Sequence, residues 1–217
     1  MGKETRLIFH GWRLPNDPMK GQPDIKLFEQ AFPASGYSIF LKPVSLERHF
    51  EIMYRWANSP YSKRFWQMQG DKTEFYNHYI KEAKGKVSRS FLLFIGDIPV
   101  AQAEIYQAVH DEVAEHFNVT DDDYGIHLLM GPYRELSGAG INVRYLSVNA
   151  LQTLLSFLFS FSSVTRVIAE PDKQNLAACK LALKAGFSFM KEIEMSYKTA
   201  NLYILDKNNF QSPLIRP

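Results

Sequence analysis

Two short apolar runs separated by an apolar helix, all between residues 124 and 170, limit the fold more than any other feature of this chain. Residues 124 to 130 (YGIHLLM), bounded by Gly125 and by Gly131-Pro132, read as a central strand. A turn-rich stretch leads to about Tyr145. Ser147 then caps a helix carrying Val148, Leu151, Leu154, Leu155, Leu158 and Phe159, and residues 166 to 170 (RVIAE) form a short strand ended by Pro171. Asp172 or Asn175 opens another helix over residues 176 to 185, which Gly186 closes, and residues 187 to 194 and 200 to 205 follow as two strands. Upstream, residues 37 to 44 alternate as a strand, and Ser45 caps a helix with Leu46, Phe50, Met53, Tyr54 and Ala57 at helical spacing. A second helix covers residues 73 to 83. Residues 91 to 95 and 99 to 106 make a hairpin about Gly96-Asp97. The series predicts a mixed sheet covered by helices on both faces and excludes a barrel and a helix bundle.

The first 36 residues carry Pro15, Pro18, Pro23 and Pro33 with Gly11, Gly21 and Gly36, a density of breakers that predicts an extended N-terminal arm, followed by one domain over residues 37 to 217. With 46% hydrophobic and 22% charged residues, the chain has the apolar surface to offset its conformational entropy, which excludes wholesale disorder and a fibrous repeat. A formal net charge of +2 is too small for a nucleic-acid partner, which needs a concentrated basic stripe. The single cysteine, Cys179, makes neither an internal disulfide nor a cysteine-rich zinc site, and the first residues hold no apolar segment before a cleavage site. The expectation is a cytoplasmic protein. The greasiest stretch, residues 151 to 161, falls short of the ~20 apolar residues that span a bilayer, so it reads as a buried helix and no membrane partner is expected.

Several residues break the apolar pattern. His127 sits between Ile126 and Leu128, and strand alternation turns it to the same face as Gly125 and Leu129. It is either a satisfied core residue or a neutral imidazole able to accept a proton near pH 7. Glu170 and Asp172 flank Pro171 at the C-terminal end of a strand, where ligands sit in open α/β sheets; Asp172 also suits a helix cap, whereas Glu170 at the end of an apolar run needs a partner. Glu104 lies inside the hairpin beside Ala101 and Ala103, on an exposed strand face or in a site. The loop with Gly138 and Gly140 before a helix is a possible anion cradle, since backbone N–H groups and the helix end both favour negative charge. Asp121, Asp122 and Asp123 lack the spaced ligands of a calcium loop and read as solvated. No metal site is expected, and no nucleophile constellation is present.

Taken together, Phe65-Trp66, AQAEIY (101 to 106), GIHLLMGP (125 to 132), RVIAEPDKQN (166 to 175), AGF (185 to 187) and KTA (198 to 200) resemble the siderophore-biosynthesis acyltransferases, which N-acylate hydroxylamines within the GNAT superfamily of N-acetyltransferases. The resemblance covers about residues 37 to 205. It implies an α/β (α+β) fold with a mixed, mostly antiparallel central sheet and helices on both faces. It implies an enzyme that transfers an acyl group from acetyl-CoA or another acyl-CoA directly to an N-hydroxylated amine, N-hydroxylysine or an N-hydroxydiamine. His127 and Glu170 match the pair that binds and activates the hydroxylamine. Trp66, Glu104, Tyr106, Asp172 and Lys198 match acceptor-pocket positions, and Leu129, Met130, Gly131, Gly138, Gly140 and Asn175 match positions that hold the CoA. Here the chain departs from the superfamily pattern: the loop in RELSGAGINVRYLS is longer than usual, and Arg134 or Arg144 stands as a compensating pyrophosphate contact. Partners implied are the small-molecule acceptor, acyl-CoA and other siderophore-pathway enzymes. The rival readings are a transferase of the same fold acting on an ordinary amine, such as a polyamine or antibiotic, and a non-catalytic binding module.

Overall fold

The computed structural model of the protein describes residues 25–66 and 68–211. In chain order the regular elements are β1 (Phe28–Phe32), β2 (Tyr37–Pro43), α1 (Leu46–Ala57), α2 (Lys72–Lys84), β3 (Ser88–Ile95), β4 (Ile98–Gln107), β5 (Asp123–Met130), α3 (Tyr133–Gly138), α4 (Leu146–Phe159), β6 (Arg166–Ala169), α5 (Leu176–Lys184), β7 (Ser188–Met195) and β8 (Lys198–Asp206). The eight strands form one sheet in the order β1-β2-β3-β4-β5-β6-β8-β7. Every pairing is antiparallel except β5 with β6. The expected mixed, mostly antiparallel sheet is therefore present.

Alternation along each strand sends side chains to apolar clusters on opposite faces of the sheet. On one face Ile126 and Ala103 pack with Leu151, Leu154, Leu155 and Leu158 of α4 and with Ala182 of α5. On the other, Leu129, Leu92 and Phe94 meet Met53 and Trp56 of α1 and Phe75 and Tyr79 of α2. Helices thus cover both faces. The helix ends follow local chemistry: the Asp71 carboxylate accepts from the Thr73 and Glu74 amides at the start of α2, and Asn175 accepts from the Ala178 amide at the start of α5. Gly186, at φ 97, takes the left-handed conformation that stops α5.

The sheet departs from expectation in three places. Residues 1–24 of the expected arm lie outside the described residues, but Phe28–Phe32 pair in full with β2, so this part belongs to the sheet: its flanking prolines bound a strand instead of interrupting one. Helix α4 starts at Leu146, with Tyr145 at φ 64 as its cap, so Ser147 lies in the first turn and caps nothing. Asp123 is wholly buried, unlike its solvated neighbour Asp121: both carboxylate oxygens face Arg166, at 2.8 Å from Nε and 2.5 Å from Nη2, and Thr120 donates its amide at 2.7 Å. The pair fastens β5 to β6 where they begin.

Strands β5 and β6 stay together for three residues only, Asp123 with Arg166, Tyr124 with Val167 and Gly125 with Ile168. From Ile126 to Met130, β5 continues with no strand on that side while β6 ends at Ala169, and the sheet splays open. No described helix is long and apolar enough to cross a membrane.

Candidate active site

A cavity of about 700 Å³ occupies the splay. One wall is β5 from Ile126 to Met130; the opposite wall is the end of β6 with Ala169 to Asp172 and the α5 residues Ala178, Leu181 and Ala182. Ser147 and Leu151 bring the first turns of α4 to its edge. An unpaired strand edge on one side and the first turns of α4 at its edge give this slot backbone groups and a helix N-terminus that can meet amide and anionic groups.

At the inner end of the slot lies a polar cluster. Glu104 on β4 and His127 on β5 are directly opposite one another, and Glu170 follows β6. His127 Nδ1 is 3.1 Å from Glu104 Oε2, and Nε2 is 2.7 Å from Glu170 Oε1. Tyr106 donates its hydroxyl to Glu170 Oε2 at 2.8 Å, and the Lys198 ammonium stands 3.6 Å from Glu170 Oε1. The Tyr106 ring fits because the residue opposite is glycine: a Cβ at Gly125 would sit 1.9 Å from that ring. Trp66 stands edge-on to His127, with ring centroids 6.5 Å apart.

Charge in this cluster is set by competition between burial and partners. Burial opposes a charged His127 ring, but Glu170 and Glu104 outweigh it and raise the pKa to about 10. Burial also opposes ionised Glu170, whose side chain is 1% exposed, yet His127, Lys198 and Tyr106 hold it down at about 2. Glu104 behaves likewise, lowered chiefly by its bond to His127 against the cost of burial. Both neighbours favour the charged ring with its two N–H groups donating, over the neutral, proton-accepting imidazole expected from the sequence. With 34% of its side-chain surface open, His127 still faces the cavity.

The other expected positions divide. Trp66, Glu104, Asp172, Lys198, Leu129, Met130 and Asn175 line the cavity, but Tyr106 does not; it lies behind Glu170 and grips it. Gly131, Gly138 and Gly140 are not among the lining residues either. Gly131 is packed against Trp56, Gly138 closes α3, and Gly140, at φ 83, turns the chain after it. The longer loop is thus partly a short helix, with Arg134 and Arg144 on its surface. Asp172 accepts from the Gln174 amide, leaving the cap to Asn175. The aromatics Trp66 and Tyr79 line the cavity, whereas Phe75 is core.

Sequence reasoning missed Tyr61, His78 and Tyr197 in the lining. In the loop after α1, Tyr61 donates to the Met130 carbonyl at 3.0 Å and Arg64 hydrogen-bonds Gln174, while the expected Trp66 stands beside His127. The three missed residues fall in no regular polar pattern. Among the described residues no group of three or more His, Cys, Asp or Glu side chains could hold a metal ion.

A sheet splayed at its single parallel joint, with a slot for a thioester carrier leading to an acid–base cluster, defines the class of acyl-CoA-dependent transferases. Residues 45–195 match the family described as Acetyltransferase (GNAT) domain, and the chain belongs to that family. It is an N-acyltransferase whose donor is acetyl-CoA or another acyl-CoA. An N-hydroxyputrescine acetyltransferase of Acinetobacter baumannii is 25% identical over 184 residues, covering 84% of each chain. The lysine N-acyltransferase MbtK of Mycobacterium sp. strain MCS is 22% identical over 174 residues, 80% of this chain and 69% of its own. Among solved structures, aminoglycoside acetyltransferase AAC(6')-Ib with coenzyme A superposes with a TM-score of 0.68 at 18% identity, over 79% of this chain and 96% of that one, which shows the shared fold.

Proposed function

We propose that the protein acylates the nitrogen of an N-hydroxylated amine by direct transfer from acyl-CoA, as a cytoplasmic step in hydroxamate siderophore biosynthesis. The observation that carries this reading is the position of His127, whose Nδ1 lies 3.1 Å from Glu104 and Nε2 2.7 Å from Glu170, so that both carboxylates favour a charged ring. Attack on a thioester needs a neutral nitrogen, and an alkylamine with a pKa of about 10.4 reaches pH 7 protonated. Stripping that proton calls for a base of matching strength. Here the imidazole already holds its proton between Glu104 and Glu170, and both carboxylates are too acidic for the task. A hydroxylamine is a far weaker base and arrives neutral. For it, the cluster supplies what remains: an N–H donor that orients the nitrogen's hydroxyl group or the thioester oxygen, and a carboxylate that takes the more acidic proton of the tetrahedral stage.

The slot supports the donor side. Backbone at Leu129 and Met130 would hold the pantetheine arm, and Asn175 would face it from α5. Cys179 is buried in α5 and its thiol lies near the Asp172 carbonyl and the Asn201 amide, so transfer needs no acyl-enzyme. On the acceptor side the described lining residues include no arginine, and the one lysine among them, Lys198, faces Glu170. A carboxylate-bearing acceptor would find no free cation among these described residues. An N-hydroxydiamine, with a second ammonium to set against Glu104 or Asp172, suits the lining better than N-hydroxylysine, and the name of the Acinetobacter relative agrees. Other enzymes of the pathway would supply the hydroxylamine and consume the hydroxamate.

The test is product mass after incubation with acetyl-CoA and matched pairs of amines with and without the N-hydroxyl group. Wild type is expected to turn over the hydroxylated member at least tenfold faster, and His127→Ala to lose ~10² or more in rate while keeping its fold. Equal rates on both members, or near-normal turnover by His127→Ala, would refute the assignment.

A further inference from the structure

The cavity has an apolar compartment that the acid–base cluster does not fill. On the face of the sheet beneath α1 and α2, Trp66, Met68, Tyr79 and Leu129 line a bay, and none of them carries a charge. Strand register fixes where it lies. Glu104 and His127 form one cross-strand row of β4 and β5, and Gln102 and Leu129 form the next row on the same face. Two residues of strand separate the rows by about 7 Å.

The floor of the bay is Tyr79. Its ring packs on Phe75, with centroids 4.9 Å apart, and Gln102 Nε2 donates to its hydroxyl at 2.5 Å. Behind the ring, Met53, Leu92 and Phe94 belong to the same closed apolar cluster. Gln102 is the anomaly here. It is 1% exposed in a row that is otherwise Leu92 and Leu129, and its Oε1 has no partner among the described residues. A buried acceptor left unsatisfied costs stability, and a leucine would fill the same place without that cost. What the glutamine contributes in exchange is a fixed Tyr79 ring.

We propose that Tyr79, held by Gln102, is the stop that limits the donor's acyl group to acetyl or propionyl. The proposal deepens the functional reading above and rests on its placement of the thioester carbonyl beside His127. From that point the acyl tail must run clear of the pantetheine arm along β5 and of the charges on Glu104, Glu170 and Lys198. The apolar residues Leu181 and Ala182 of α5 flank the slot itself, on the arm's side. The bay under α2 is the apolar lining that remains, and a hydrocarbon tail is favoured there. One row further on, the tail meets the Tyr79 ring. That ring has no room to retreat, with Phe75 against it and its hydroxyl tied to Gln102. A close-packed interior does not absorb extra methylenes, so discrimination of roughly tenfold or more is expected once the tail reaches the stop.

The experiment is a ladder of CoA thioesters, acetyl, propionyl, butyryl, hexanoyl and octanoyl. Their Kd values are measured by calorimetry without acceptor, and kcat/KM by product mass on an N-hydroxylated amine. Wild type should bind acetyl- and propionyl-CoA alike and hexanoyl- and octanoyl-CoA at least tenfold more weakly, with a matching fall in kcat/KM. Tyr79→Ala should move the break outward, so that octanoyl-CoA binds within about threefold of acetyl-CoA and the octanoyl product appears. Tyr79→Leu keeps the site apolar should Tyr79→Ala fail to fold, and it should admit hexanoyl- but not octanoyl-CoA. Gln102→Leu, which frees the ring without emptying the row, should admit butyryl- and hexanoyl-CoA. Wild type that binds octanoyl-CoA as tightly as acetyl-CoA would overturn the proposal, as would Tyr79 variants that weaken every thioester equally and leave the break in place. If the hydroxylated amine proves no better than its parent amine, it is the functional reading that falls; the binding ladder needs no acceptor and still decides the role of Tyr79.

Discussion

The two ends of β5 carry charged groups of opposite purpose. At its first residue Asp123 faces a single cation, Arg166, with its remaining oxygen capacity met by a backbone amide; it is wholly buried, and neither partner touches the cavity. Four residues on, His127 faces two carboxylates and keeps a third of its side chain open to the slot. The first arrangement is saturated and rigid, and it closes the joint from which β5 and β6 diverge. The second holds spare acceptor capacity on its carboxylates and an open side through which a substrate can take it up. Ionic character alone is therefore no mark of a reactive site; an unspent partner beside an accessible void is.

The sharpest break of this contrast is Glu170→Gln, which removes the deeper counter-charge of the imidazolium. Turnover should fall by ~10² to 10⁴ while the melting transition stays cooperative; a loss under tenfold in steady-state assays would show that the open end of β5 is as passive as the closed one. Asp123→Ala should do the reverse, costing about 3 kcal/mol in denaturant melts by removing the carboxylate partner of Arg166, which keeps only the Asn118 carbonyl, with the rate per folded molecule within about twofold of wild type. Gly125→Ala joins the two ends: the new Cβ displaces the Tyr106 ring, frees a Glu170 oxygen and should cost about tenfold in turnover, with acetyl-CoA binding little altered in calorimetry. The pH dependence of stability distinguishes the ends more gently. His127 has a folded pKa of about 10 against an ordinary 6.5, so its contribution is full below 6.5 and is lost as pH rises to about 10; Glu170, held at about 2, loses its contribution only as pH falls from about 4.5 toward 2. Thermal scans should show Tm sloping down from pH 7 to 10 in wild type and sloping less in His127→Gln. Smallest of all, Tyr61→Phe forfeits one exposed bond to Met130 and should change KM for acetyl-CoA by no more than about threefold.

Much of this architecture is legible in the chain because the core elements carry strong periodic signals: the helix at Leu151 to Leu158, the hairpin about Gly96, and the glycine that halts α5. His127 and Glu170 were visible for the same reason, each being a polar residue in an apolar run. What stayed hidden depends on partners far along the chain. Asp123 sits in an acidic triplet that looks solvated until Arg166, 43 residues on, folds against it. Strand β1 was obscured by breakers that flank it, and Tyr106 reads as an acceptor contact until its ring is seen tucked over Gly125. The protonation state of His127 was out of reach too, since it follows from two carboxylates arriving from different strands.

The loop that bridges the slot has an evolutionary reach beyond its contacts. Tyr61, Arg64 and Trp66 belong to one short connection between α1 and α2, whereas the thioester groove is cut into the sheet and α5. Part of the cavity lining is thereby carried by a piece of chain outside the sheet. A graft of that connection from a relative could change the cavity while leaving the strands and α5 in place.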